Sequence, residues 1–446
     1  MIRQDSILKL LAAGDGGSSL NSKIGRIFQI DNQQTSIRTE MLAGLTSFIT
    51  IAYIIAVNGA ILSNAGMPYE AATIATVFSA LIGCMLMAFW AKSPLILAPG
   101  MGDNAFFVFT LVFSFGLTWQ QALAAVLIAG IVFFIVSMTK GAVYLSKKIP
   151  SSMIHAMTAG IGLFIGFLGL KNGGVIVASE GTFVQLASLR DPHALTTLLT
   201  LIIVVPLFLR GVRGNFLIGI IAGTVIGILL GIVDFSQMGS FQFSMAGYDE
   251  VFFAFDFSQI HSFQFWIAVF SLSMVIIFAN MGAQLGMLPD TSKFRRSFQA
   301  NSLSIIAASM LGCSPTTTAA EGAAGIAAGG RSGLTPFVSG LLFIPALFLI
   351  PILKIIPSSA IAPVLIVVGC LMIQGMKHVK LDDFTDAFPA YLMIAIMPLT
   401  FSIVNGIAFG FIAYPIVKIV TGRRQEVSGA MYVIAALFLV YFILGM

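Results

Sequence analysis

PLILAPGMGDNAFF at 94–107 and GCSPTTTAAEGAAGIAAGG at 312–330 decide how this chain is read. Proline and glycine interrupt an apolar run in each, and each carries one carboxylate, Asp103 and Glu321. The chain as a whole is 58% hydrophobic and only 9% charged, against about 25% charged in soluble domains. Too few polar groups exist to cover a water-facing surface, so lipid is the fitting solvent. Apolar stretches of about 20 residues, the length that spans a bilayer, recur along nearly the whole sequence. In lipid each backbone amide must be paired within its segment or a closed barrel. These stretches are apolar on every side and do not alternate, which selects helices. The pattern predicts an all-α polytopic membrane protein of about 14 transmembrane segments, with their breaks after residue 380 not fixed by the pattern.

Lysine and arginine orient the segments. Lys92, the group Lys140, Lys147 and Lys148, the pair Arg210 and Arg213, the group Lys293, Arg295 and Arg296, then Arg331, Lys377 and Lys380 all fall on one side. That side is cytoplasmic if the N-terminus is. The loop 234–262 holds Asp234, Asp249, Glu250 and Asp256 and no lysine or arginine. Lys171, Arg190 and Lys354 are exceptions near segment ends, where long side chains reach the interface. Arg423 and Arg424 conflict with fourteen full crossings ending inside. Either 384–421 forms paired shorter helices, or the last segment is not a full crossing. Residues 1–38 are polar, without an apolar signal-peptide core, and read as a cytoplasmic N-terminal tail.

Breaking a membrane helix frees backbone N–H and C=O groups, tolerated only against protein or a water-filled cavity. The half-helix after a break aims its positive end at the gap. The two breaks hold corresponding places in the two halves, a pointer to a transporter's binding site. IIAVNGAIL at 54–62 also echoes IIFANMGAQL at 276–285. The alternative is that glycine and proline only let helices pack closely. A charge at membrane depth costs about 2.5–3.5 kcal/mol on insertion scales and faces a bundle interior. Glu321 there suits a proton carrier or an acceptor for a substrate N–H. The alternative is a structural glutamate bonded to a neighbouring helix. Asp103 reads the same way, or as a cap at the membrane edge for a helix beginning at Asn104. Asn104, Asn280, Gln284, Thr316, Thr317 and Thr318 lie near the breaks and would read hydrogen bonds, or join helices.

His155, His193, His261 and His378 show no metal-ligand spacing, and Cys84, Cys313 and Cys370 sit in apolar stretches. No metal or cofactor is expected. There is no basic face for nucleic acid, no phosphate loop and no nucleophile–base pair. A transporter, not an enzyme, is expected.

LAPGMGDNAFF, TAGIGLFIGFLGLKNGG (158–174), GCSPTTTAAEGAAGIAAGGRSGLT (312–335) and APVLIVVGCLM (362–372) resemble the AzgA-like adenine/guanine/hypoxanthine permeases, a branch of the NCS2 nucleobase/ascorbate transporters. The resemblance runs from about residue 22 to the C-terminus. It implies two inverted seven-segment repeats. The core domain would comprise 39–140 (segments 1–4) and 263–354 (segments 8–11). The gate domain would comprise 150–235 (segments 5–7) and 357–446 (segments 12–14), with an extracellular loop at 236–262. It implies uptake of a purine nucleobase with protons across the cell membrane, often as a homodimer. The family's glutamate falls on Glu321 and its asparagine on Asn104. Substrate binding would then involve Glu321, Asn104, Asn280, Ala279, Gly100, Gly102, Thr317, Thr318 and Ala320, with Glu321 and Asp103 in proton coupling. Two departures stand out. Ala279 occupies the place of the family's membrane aspartate, and Asp103 stands where an apolar residue is usual. On that resemblance Asp103 is expected to supply the missing carboxylate from across the site. Ala279 keeps open another solute, such as uracil, xanthine or a carboxylate anion, or a non-transporting binding protein.

Overall fold

The computed structural model describes residues 25, 27–28, 30, 35–139, 148–233, 235, 245 and 247–444. The expected tail up to residue 24, Lys140, Lys147 and Asp234 lie outside the described residues.

The chain begins its crossings with α1 (Ile37–Ile51) and α2 (Ile54–Ser63), which a turn at Ala52–Tyr53 joins into one span of 27 residues. At 1.5 Å per residue that span is about 40 Å long, enough to cross a bilayer. Next come α3 (Tyr69–Leu86, extended to Ala91), β1 (Leu97–Pro99), α4 (Met101–Ala105) with its π-helical continuation Phe106–Ser114, and α5 (Trp119–Met138). α6 (Ser151–Asn172), the hairpin β2 (Ile176–Ser179) and β3 (Phe183–Leu186), α7 (Pro192–Leu209) and α8 (Asn215–Leu229) follow. The second half repeats the pattern. It holds α9 (Phe263–Met287), α10 (Phe294–Met310), β4 (Thr316–Thr318), a 3₁₀ turn Ala320–Gly322, α11 (Ala323–Ala327), and α12 (Leu334–Phe343) prolonged through α13 (Ile350–Leu353). α14 (Ser358–Ile373), α15 (Phe384–Thr400), α16 (Ile403–Val420) and α17 (Gly429–Leu444) complete it. Nine helices among the described residues are long and apolar enough to cross a membrane.

Hydrogen bonds show which helix ends share a face. Lys293 Nζ donates to the carbonyls of Lys92 (2.8 Å) and Arg331 (3.2 Å), and Arg295 to that of Met138 (3.0 Å). The buried Glu40 carboxylate, on α1, accepts from the Arg331 and Ser332 N–H groups and the Thr335 hydroxyl. On the opposite face Tyr69 donates to the Leu353 carbonyl (3.1 Å) and Lys354 pairs with Glu70, which explains that lysine's exceptional position.

At the C-terminal end α15 (17 residues) and α16 (18 residues) form a pair that leaves and returns to one face. Arg423, just beyond α16, bonds Asp383 at the start of α15 (2.6 Å), and Lys418 pairs with Asp386 (2.8 Å). α15 and α16 therefore go out and return to one face. α17 starts there too, since the Ser428 hydroxyl donates to the Lys148 carbonyl (2.7 Å). Arg423 thus lies on the face where α15 starts and α16 ends, and α17 follows as a further apolar helix.

Packing falls into two groups. α1, α2, α3, α5, α9, α10, α11 and α12 pack mainly among themselves, and α6, α7, α8, α14, α15, α16 and α17 do likewise. In the second group α6 and α14 approach most closely, through small residues that let backbones meet. A Cβ on Gly369 would sit 2.5 Å from the Gly162 carbonyl oxygen and 2.7 Å from the Gly166 nitrogen. Neither is a movable side chain, so the helices must separate. We expect Gly369→Ala to destabilise the protein by about 1–3 kcal/mol or more, the range for overpacking, read as a lowered melting temperature in detergent.

Candidate functional site

Both interrupted segments stop being helical where proline and glycine predict. Pro99 has no N–H to offer a helix, and the chain runs extended as β1. Pro315 precedes the equally extended β4. The two short strands pair antiparallel at the centre, Leu97 opposite Thr318, Ala98 opposite Thr317 and Pro99 opposite Thr316. The Ala319 N–H bonds the Ile96 carbonyl (3.0 Å), extending the pairing. Most freed backbone groups are thus satisfied across the two halves, as membrane depth requires. Gly100 is needed at this junction, because a Cβ there would lie 2.2 Å from Thr317 Cγ2. Each strand runs directly into a new helical turn, at Met101 and at Ala320.

Beside the strand pair is a cavity of about 380 Å³, within the usual size of a small-ligand pocket. One wall comes from the first packing group: Tyr53, Gly100, Gly102, Asp103, Phe278, Ala279, Thr317, Thr318, Ala320 and Glu321. The other is the face of α6 and α14 bearing His155, Thr158, Ile161, Val368 and Met372. No lysine or arginine lines it among the described residues. A separate void of about 10 Å³ lies between Ile61, Met101, Ala105, Phe109, Ile165, Leu168, Asn172 and Leu365, and Met101 lines both it and the cavity.

Glu321 rides on the 3₁₀ turn after β4, and its Oε1 accepts from the Tyr53 hydroxyl at 2.5 Å. Its backbone carbonyl accepts from Thr50 Oγ1 (3.2 Å). Asp103 lines the cavity and is 4% exposed. α4 begins at Met101 with Gly100 as its cap, so Asp103 lies inside the first turn and caps nothing. Ala279 faces the same cavity, which brings Asp103, Ala279 and Glu321 around one space.

Asn104 and Asn280 lie behind that lining. Asn280 is fully buried, and its Oδ1 accepts from Thr317 Oγ1 (2.7 Å) and the Thr318 N–H (2.8 Å) while Nδ2 donates to the Ile276 carbonyl (2.8 Å). It holds β4 in place. Gln284 Nε2 donates to Thr318 Oγ1 (3.0 Å), and Ser304 and Thr316 share a 2.7 Å bond, bracing the same strand. Asn104 Oδ1 accepts from Ser314 Oγ (2.7 Å), tying the start of one break to the other. Sequence reasoning did not find Tyr53. A tyrosine amid IAYIIAV, where a helix turns, was the available signal. His155 and Thr158 reach the cavity only through the packing of α6.

The Permease family (Xan_ur_permease) matches residues 38–409. The nucleobase transporter PlAzg2 of Paenibacillus larvae is 42% identical over 84% of this chain and 76% of its own length. The guanine/hypoxanthine permease PbuO of Bacillus subtilis is 36% identical over 93% of this chain and 99% of its own. The adenine permease AdeQ of Escherichia coli is 34% identical over 96% and 98% respectively. Among solved structures, the transmembrane domain of the cyanobacterial bicarbonate transporter BicA superposes with a TM-score of 0.62 at 16% identity, covering 83% of this chain and 97% of that one. The murine anion transporter Slc26a9 in its inward-facing state gives 0.65 at 13% identity, covering 90% and 72%. These two share the fold, a core set of helices beside a gate set.

Proposed function

The chain belongs to the Permease family, the NCS2 nucleobase transporters, and we propose that it imports a purine nucleobase (guanine, hypoxanthine or adenine) by proton symport. The observation that carries this reading is the cavity at the paired breaks, where Glu321 and Asp103 meet backbone from both halves. A planar base presents N–H donors and ring acceptors in one plane. The Glu321 carboxylate would accept from its N–H groups. Backbone at 99–102 and 317–320, with Thr317 and Thr318, would complete the set. Asn104 and Asn280 act as positioning residues for that backbone. Phe278 and Met372 supply apolar faces for the ring.

In this reading the first packing group is the core domain, 39–140 with 263–354. The second is the gate domain, 150–235 with 357–446. The N-terminus and basic loops are cytoplasmic, in the cell membrane, and the chain works as a homodimer. The apolar contact around Ile61, Phe109 and Leu365 would be the closed outer door, and core motion against the gate would open it. A solute moves one way only because its occupancy differs on the two sides; binding must favour one state to shift it.

Asp103 is the second carboxyl group in the cavity and would take the place of the carboxylate that Ala279 lacks. We expect Asp103→Asn to abolish concentrative uptake under a proton gradient while exchange of substrate across the membrane continues and the melting temperature holds. Unchanged accumulation would refute the swap. The general test is competition for labelled guanine uptake in proteoliposomes by a nucleobase panel, with and without a pH gradient. Preference for uracil, xanthine or a carboxylate anion, or saturable binding with no counterflow, would overturn the purine symport.

A further inference from the structure

His155 and His378 stand 223 residues apart in sequence by simple subtraction of their numbers, yet their ring centres lie 4.8 Å apart with planes inclined at 38°. His155 projects from the second turn of α6 and lines the cavity. His378 ends the 3₁₀ turn Gln374–His378 that continues α14 and lies outside the lining. We propose that the two imidazoles form a site for a divalent first-row transition-metal ion, such as Zn²⁺ or Ni²⁺, at the cavity's mouth.

Three observations support it. With a metal–nitrogen bond of about 2.0–2.1 Å and a tetrahedral angle, two ligating imidazoles have ring centres about 5 Å apart, close to the separation found. Neither ring is engaged in a hydrogen bond among the described residues. The frame is also rigid. α6 and α14 meet backbone to backbone at Gly162 and Gly369, and a Cβ on Gly375 would lie 3.2 Å from the His155 carbonyl oxygen. Imidazole nitrogen suits zinc, nickel and copper. Among the described residues no three His, Cys, Asp or Glu side chains gather, so the protein supplies two ligands and water the rest. A metal held there caps the mouth, because one ligand lines the cavity and the other stands outside it.

The test is calorimetric titration of the purified full chain, carrying a histidine-free tag, with ZnCl₂ and NiCl₂. Saturable binding of one ion per chain in the micromolar range is expected. His155→Ala and His378→Ala should each weaken it at least tenfold, and His193→Ala and His261→Ala should leave it unchanged. Absence of saturable binding, or binding that survives His378→Ala, overturns the site. Gel filtration and melting without metal establish that the variants fold, and His378→Gln replaces the alanine variant if it does not. This outcome is independent of which solute is carried.

Discussion

Glu321→Gln is expected to remove proton-driven accumulation and to weaken nucleobase binding by about 10- to 150-fold. The side chain keeps its size, and its amide oxygen can still accept from the Tyr53 hydroxyl that reaches Oε1 at 2.5 Å. What changes is the other end. A carboxylate oxygen that accepts from a substrate N–H becomes an NH₂ group that donates toward it. Losing a hydrogen bond to a charged group costs about 1.5–3 kcal/mol, and each 1.4 kcal/mol is tenfold in affinity. The amide also carries no exchangeable charge, so coupling disappears with it. Tyr53→Phe is the control. It removes one donor from Glu321 and leaves the carboxyl in place, so affinity should fall by less and accumulation should persist. Equilibrium binding of labelled guanine and uptake with an imposed pH gradient separate the two. A Glu321→Gln protein that still concentrates guanine would remove Glu321 from the mechanism.

Asn280→Ala should be the most damaging single change to stability at the site. Its amide oxygen accepts from both Thr317 Oγ1 and the Thr318 N–H. Truncation leaves the Thr318 N–H unpaired at a buried position, while the Thr317 hydroxyl borders the cavity. An unsatisfied buried group costs about 1–3 kcal/mol, so a loss of about that size is expected, with loss of uptake because β4 no longer holds its register against β1. Asn280→Thr restores one acceptor and should fall between the two. Melting temperatures in detergent should rank alanine below threonine below asparagine. Equal melting of all three would show that β4 is held by Gln284 and Ser304 instead.

Much was legible before any fold was drawn, because it depended on local rules. Pro99, Gly100 and Pro315 forbid a continuous helix wherever they stand, and the breaks appear there. Asp103 and Glu321 are acidic side chains in apolar surroundings, which must face the interior in any arrangement, and both line the cavity. Asn104 and Asn280 were legible as buried polar groups but not as to which neighbour they would bond. Their proximity to the breaks is a fact of sequence, and their orientation behind the strand pair is not. Tyr53 escaped notice because its importance lies entirely in a partner 268 positions away.

The sequence by itself determined that this chain lives in lipid, where its helices break, and that two carboxyl groups must be sheltered from the bilayer. Those follow from hydrophobicity and backbone chemistry, which act on residues close together along the chain. Only the tertiary structure decided that β1 and β4 pair with each other, that Tyr53 meets Glu321, that His155 meets His378, and that α15 and α16 return to one face. Each of these joins distant segments, and which distant segments meet is set by helix packing summed over the whole bundle, a quantity that no short stretch of sequence contains.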